Sequence, residues 1–434
     1  MILQYIYVGC ASAFAFALTF VGCPVAFSFG VAGYIGLILL KGFWAANSAV
    51  CTASFYYFSN YVWTTIPLYV FLGFLAMQAG LTEKFYRGVR LWLGSLKGGL
   101  LYSIVLGNAA FGAACGVSIA AATTFAAITL PETRKYSYDD DLTLGVIAAS
   151  SNLSILIPPS FAFIMYGAIT GTPINRLFIA GIIPGMLYAA ILCATIAGMV
   201  KFRPSLAPRG PKYQIHDKIR GLMEMSGLLG LFVSIIAGLY GGVFTPVEAA
   251  GVAVSVVFIA GALLKKFDIE KLSWALRETG FLSAMVFYLV ACCSIFNQFL
   301  ALTGAQSQIQ QLLMRMSFSP VEYVVFVSLV FLILGMFFDI GALTILLLPI
   351  VFPLTKQLGI DPVYFGVILT SVSNIGTLSP PFGIVVFALS SLMPEFSAQR
   401  IFRAVLPFLV TQAVFIILLL LFPDLCLWLP SKMK

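Results

Sequence analysis

Charge is what this chain has least of. Only 9% of its 434 residues are Asp, Glu, Lys or Arg, and His216 is the only histidine. One histidine, set in a basic loop, excludes a His-rich metal centre and argues against Ser-His-Asp catalysis. No GxxxxGK[ST] pattern occurs, so nucleotide hydrolysis through a P-loop is excluded. Eight cysteines (Cys10, Cys23, Cys51, Cys115, Cys193, Cys292, Cys293, Cys426) lie mostly in apolar runs without CxxC or metal-ligand spacing. They read as small buried hydrophobes. No Lys or Arg precedes Lys41 and the first apolar run flows into a second, so a cleavable signal peptide is not expected. No stretch has the composition of a soluble domain. The longest polar connection, KFRPSLAPRGPKYQIHDKIRG (201–221), carries Pro, Gly and charge and reads as a linker between two halves.

What is present is apolar. Hydrophobic residues make up 61% of the chain and mean hydropathy is +1.04. A chain of this size could not keep so much apolar surface from water, so the bilayer must be its solvent, crossed by helices of about 20 residues. The spans read as 2–21, 24–40, 62–80, 142–170, 177–200, 225–240, 247–264, 279–301, 363–391 and 404–429. The motif Gly22-Cys23-Pro24 between the first two is compatible with a turn or a kink. Segments 98–131 and 320–353 are too long for one crossing and polar at both ends, and read as re-entrant hairpins. The net charge of +8 is dispersed between apolar runs, so no basic face could track a nucleic acid. With loops 81–97, 132–141, 201–224, 265–278 and 394–403 in the cytoplasm, 18 of the 24 Lys and Arg fall on that side. The split requires both hairpins to return to their side of entry.

A repeat carries the functional argument. SNLSILIPP (151–159) and SNIGTLSPP (373–381) each interrupt an apolar span and each follow a hairpin. In this topology the two spans run in opposite senses, as in an inverted repeat with a binding site at interrupted helices near the midplane. Pro-Pro ends a helix and frees backbone carbonyls, which in lipid need partners. Sodium is a suitable partner. Its first site would draw on Ser150, Ser151, Asn152 and Ser154, and its second on Ser371, Ser373, Asn374 and Thr377. The competing reading has these residues only capping broken helix ends. Substrate is expected beside the breaks, at Pro158, Pro159, Ser379, Pro380, Pro381 and Ser118. The hairpin tips should face these breaks: GAACGVS (112–118) with small residues that admit an anion to free amides, and GMFFDIG (335–341) with Asp339 deep in an apolar run. Asp339 is either a site residue or the cap of the second arm. Thr245-Pro-Val-Glu248 reads as a capping box, 83–97 as an interfacial arm, and Asp139-Asp140-Asp141 as a solvated helix cap.

At these motifs the chain resembles the large membrane subunit of tripartite ATP-independent periplasmic (TRAP) transporters, over 145–187, 238–254 and 334–392 and in order along nearly the full length. The resemblance implies an all-α polytopic fold of two inverted repeats, each with a re-entrant hairpin and a broken helix, working as a sodium-coupled elevator. The expected divisions are 1–61 (scaffold), 62–200 (first repeat), 201–278 (linker and scaffold) and 279–434 (second repeat). It further implies a small four-helix membrane subunit, a periplasmic substrate-binding protein, Na+ as coupling ion with no organic cofactor, and import of small organic anions across the bacterial or archaeal inner membrane. Those anions are mostly carboxylates such as C4-dicarboxylates, sialic acids or 2-oxo acids, with sulfonates also known. Carried over from the family, Gly116, Ser118 and Asn152 join the first sodium site, and Asp339, Gly341 and Asn374 the second. The tip Ala114-Cys115-Gly116-Val117-Ser118 departs from the family's serine-rich pattern and leaves mainly backbone carbonyls there. A proton-coupled symporter using Asp339 is the nearest rival. An enzyme should cluster His, Asp or Glu within its spans, and a channel should line a through-pore with repeated polar residues.

Overall fold

The computed structural model describes residues 2–433, with the side chains of 2–5 and 113–115 excepted. Among the described residues the structure is helical throughout, with one isolated β-bridge between Lys97 and Arg209. Among the described residues, eight helical segments are long and apolar enough to cross a membrane, and many expose large apolar side chains outward, as a lipid-facing surface does. The chain is therefore a multi-pass membrane protein.

The N-terminal ambiguity resolves as a turn. Helices Ile2–Phe20 and Val25–Lys41 pack on each other across Gly22, whose φ of 100° suits glycine. Val25–Lys41 in turn lies against the 34-residue helix Ile269–Leu302. Close approach is possible because Gly30 and Gly33 face Cys292 and Phe296. A Cβ on Gly33 would stand 2.6 Å from the Phe296 Cα, the small-residue packing by which membrane helices associate.

Each hairpin is introduced by an arm. Leu81–Leu93 follows Gly80 and precedes the first hairpin (Gly99–Cys115 and Ser118–Lys135). Ala305–Arg315 follows Gly304 and precedes the second (Pro320–Gly335 and Ile340–Gln357). Both glycines are left-handed, at φ 74°. The first arm overlaps the segment 83–97 singled out from sequence. The second, rich in Gln, was not anticipated, and neither was helix Phe43–Phe58. Three expected bounds are corrected. The span 279–301 begins at Ile269, behind Asp268, whose side chain accepts from the Lys271 amide. The span 225–240 begins at Ile215, taking in the end of the supposed linker, because Gln214 and Asp217 form a capping box there. The last span is Ala398–Leu421, stopped ahead of Pro423 rather than at 429.

The two repeats interlock by exchange. The first broken helix runs from Asp140–Ser151 through Leu153–Leu156 to Phe161–Thr170; the second from Pro362–Gly376 to Ile384–Leu392. Phe161–Thr170 packs on Ile340–Gln357 of the other hairpin, and Ile384–Leu392 packs on Ser118–Lys135. The helices that close the repeats, Ile174–Phe202 and Ala398–Leu421, each lie against the first half of the other's broken helix. Reciprocity of this kind is what a pseudo-two-fold axis in the membrane plane produces. It continues outward: Val25–Lys41 packs on Ile269–Leu302 as Pro246–Leu263 packs on Thr65–Gln78. The exchange thus reaches into 1–61 and 201–278, segments that sequence reading sets outside the repeats.

Candidate functional site

Both breaks have the same local cause. Helix 140–151 loses its ladder after Ser151, and Ile157 to Ser160 run extended around Pro158-Pro159. Ser160 then caps the second half by accepting from the Phe163 amide at 3.3 Å. In the second repeat the chain turns after Gly376 and resumes at Ile384. Both Pro-Pro peptide bonds are cis.

Each hairpin meets its own break through a pair of small contacts at matching positions. A Cβ on Gly112 would lie 2.2 Å from the Ser154 Cα, and one on Gly376 would lie 2.4 Å from the Gly335 carbonyl carbon. Ser154 and Gly376 are both the fourth residue of their Ser-Asn motifs. Four residues beyond Gly112 comes Gly116, the left-handed tip at φ 69°, where a Cβ would stand 2.8 Å from the Pro159 oxygen. Four beyond Gly335 comes Asp339, at the second tip. The first tip therefore ends against the break in the middle of the 31-residue apolar segment Asp140–Thr170. Of that tip, the side chains of Ala114 and Cys115 lie outside the described residues.

The asparagines do not sit apart in separate sites. Asn152 donates its amide to the Asn374 carbonyl at 2.8 Å, and Asn374 donates back to the Asn152 carbonyl at 3.5 Å. Asn152 also donates to Gln412 Oε1 at 3.3 Å, and Thr377 donates to the Asn374 carbonyl at 2.9 Å. The two breaks thus cross at the pseudo-two-fold axis and satisfy each other's freed carbonyls, part of what the helix-cap reading expects. The serines donate to carbonyls of the preceding turn: Ser151 to Ala148 (2.7 Å), Ser154 to Ser151 (2.5 Å), Ser371 to Val367 (2.8 Å), Ser373 to Leu369 (2.8 Å) and Ser379 to Ile375 (2.8 Å). A hydroxyl that donates in this way keeps its oxygen lone pairs for a cation.

Asp339 caps the second arm, its Oδ1 accepting from the Gly341 amide at 2.8 Å and the Ala342 amide at 3.3 Å. It also lines a cavity of about 110 Å³ with Gly116, Ser118 and Thr377, whose lining includes Val70, Leu282, Met285 and Val286 of the outer helices. Of the residues expected beside substrate, Ser118 lines this cavity; the four prolines and Ser379 do not. Pro158 and Pro159 are buried behind the first tip, and Pro380 and Pro381 are exposed. After the second break the chain runs outward to Phe382, which meets Phe20 and Phe337.

Two residues at the centre escaped sequence reading. Asn108, on the first hairpin arm, donates to Ser150 Oγ at 2.6 Å, and its own Oδ1 is buried without a partner among the described residues. Asn374 Oδ1 is likewise unpartnered. Buried acceptors in this condition are uncommon and invite a ligand or an ion. Gln412 was missed as well. The available signal for both was an uncharged amide inside an apolar span.

Known proteins resemble this chain over most of its length. The C4-dicarboxylate TRAP transporter large permease protein of Pseudomonas aeruginosa is 30% identical over 373 residues, covering 86% of this chain and 87% of that protein. The ectoine/5-hydroxyectoine large permease protein of Ruegeria pomeroyi is 29% identical, covering 84% and 85%. A sialic acid TRAP permease of Haemophilus influenzae is 29% identical over 89% of this chain, which spans 63% of that longer relative. Among solved structures, the Alcanivorax borkumensis YdaH transporter superposes with a TM-score of 0.54 at 16% identity, over 84% of this chain and 86% of that one, a likeness of fold. The family profile described as tripartite ATP-independent periplasmic transporter, DctM component, matches residues 13–425, and the chain belongs to that family.

Proposed function

We propose that this TRAP large permease is the sodium-coupled membrane component of an importer of small organic anions, working in the inner membrane with a small membrane subunit and a periplasmic binding protein. The observation that carries the reading is the crossing of the two breaks beneath both hairpin tips. One cation near Asn108, Ser150 and the Gly116 tip, and one near Asn374, Thr377 and the Asp339 tip, would hold each tip against its break. Backbone and hydroxyl oxygens suit a monovalent ion that must be released again. With no Lys or Arg in the cavity lining, sodium would supply the positive charge that an anion needs.

The cavity wall supports an elevator movement. Val70, Leu282, Met285 and Val286 offer no hydrogen-bonding side chain to the site, so the block of hairpins and broken helices could slide past them without stranding a polar group. The names of relatives include C4-dicarboxylates, sialic acid and ectoine, so the substrate of this chain is proposed only as a small organic anion, carboxylate before sulfonate.

The test is uptake into proteoliposomes holding the chain with its small subunit, the binding protein outside, under an inward sodium or an inward proton gradient. Sodium-dependent uptake that collapses in Asn152→Ala and Asn374→Ala supports the reading. Uptake driven by protons alone, with both variants unimpaired, overturns sodium coupling and leaves the asparagines as helix caps.

A further inference from the structure

A second cavity lies away from the transport site, between the arm and the two helices Ile215–Tyr240 and Pro246–Leu263. It has a volume of about 390 Å³ and runs from Phe244 at one end to Lys84 and Lys266 at the other. Its long wall is one face of helix 246–263, from Ala249 to Leu264, a length of about 22 Å at the α-helical rise. Small residues on the facing helix, Gly227 and Gly230, keep the groove open, and its one side-chain hydroxyl, Ser234, donates to the Gly230 carbonyl at 2.7 Å. Lys84 and Lys266 form no ion pair among the described residues. Both belong to loops that the charge asymmetry puts on the cytoplasmic side.

We propose that this groove binds an anionic phospholipid, with an acyl chain along the 246–263 face and the headgroup phosphate between Lys84 and Lys266. The occupant is chosen by length and charge. A single hydrocarbon chain matches the groove's run of about 22 Å along the apolar face. An apolar bilayer-depth groove with two cations at its cytoplasmic mouth is complementary to a lipid whose headgroup carries net negative charge. The site is independent of sodium coupling, because no residue of the crossed breaks lines it.

Native mass spectrometry of the detergent-purified full chain, titrated with phosphatidylglycerol and separately with phosphatidylcholine, tests this. Phosphatidylglycerol is expected to be retained preferentially. The double variant Lys84→Gln/Lys266→Gln should weaken its retention roughly thirtyfold, from two lysines near a membrane surface, and bring it to the phosphatidylcholine level. Gly230→Leu should expel both lipids. A Cβ at Gly230 meets nothing within 4 Å, so the leucine occupies the groove without distorting the helix, and Leu favours helix over Gly. Equal retention of the two lipids by the unaltered chain, or retention unchanged in Gly230→Leu, overturns the proposal. So does crosslinking of Ser234→Cys to a second polypeptide in native membranes, which would make the groove a protein contact.

Discussion

At the residue scale the site is built from contacts with no room for a side chain. Gly376→Ala would force a Cβ to 2.4 Å from the Gly335 backbone. Backbone cannot yield as a flexible side chain does, so a loss of about 2 kcal/mol is expected, with a lowered melting temperature and lost uptake. Gly251→Ala, where a Cβ meets nothing within 4 Å, serves as the control and should melt at or above the unaltered protein. The reciprocal asparagines give a second prediction. Because each amide serves the other break's carbonyl, Asn152→Ala and Asn374→Ala should be non-additive. A double-mutant cycle on thermal stability should return a coupling of about 1 kcal/mol. Additive losses would mean that the two breaks act separately.

At the scale of elements, the arm helix Leu81–Leu93 is tied to the end of the first hairpin by Glu132. Tyr86 donates to Glu132 Oε2 at 3.0 Å and Arg90 pairs with Oε1. Replacing Glu132 by Gln leaves a half-buried guanidinium without its anion. Side-chain exposures of 24% and 15% set the cost between surface and interior values, at about 1 kcal/mol. Melting temperatures of Glu132→Gln and of the Arg90→Gln/Glu132→Gln pair would check it, the pair recovering part of the loss. The outer wall of the transport cavity gives the fourth prediction. Val286→Asp puts a negative charge on a buried apolar position of the wall facing the anion site. Uptake should fall more than tenfold, since an unpaired charge in that position costs well over 1.4 kcal/mol, while the protein still reaches the membrane. Normal uptake would sink the sliding-wall account.

On the scale of the whole molecule, two repeats of opposite sense exchange their broken helices, hairpins and closing helices, so neither repeat forms its half of the centre alone. Phe161–Thr170 is buried by the second hairpin and Ile384–Leu392 packs on the first. A change at one break is therefore expected to reach the other through Asn152, Asn374 and Gln412, and sodium dependence of uptake should be sigmoidal. Asn152→Ala should reduce the Hill coefficient toward one, which uptake measured against sodium concentration at fixed membrane potential would show.

Much of this was legible from the chain alone. Apolar run lengths identified most of the membrane-spanning segments, because the bilayer imposes length and polarity on each segment locally. The repeated Ser-Asn and Pro-Pro marked the breaks, because proline acts on its own backbone. What spacing could not reveal was which groups meet. The Asn152 amide finds the carbonyl of a residue 222 positions away, and the pairing of Gly112 with Ser154 and Gly335 with Gly376 follows from how hairpin and break lie together. Asn108 and Gln412 carry no local motif and gain meaning only from neighbours supplied by distant helices. Local physics thus determined from sequence where the helices run and where they break; the tertiary structure decided which freed carbonyls face one another, because in a bilayer they must be paired and only folding brings partners within reach.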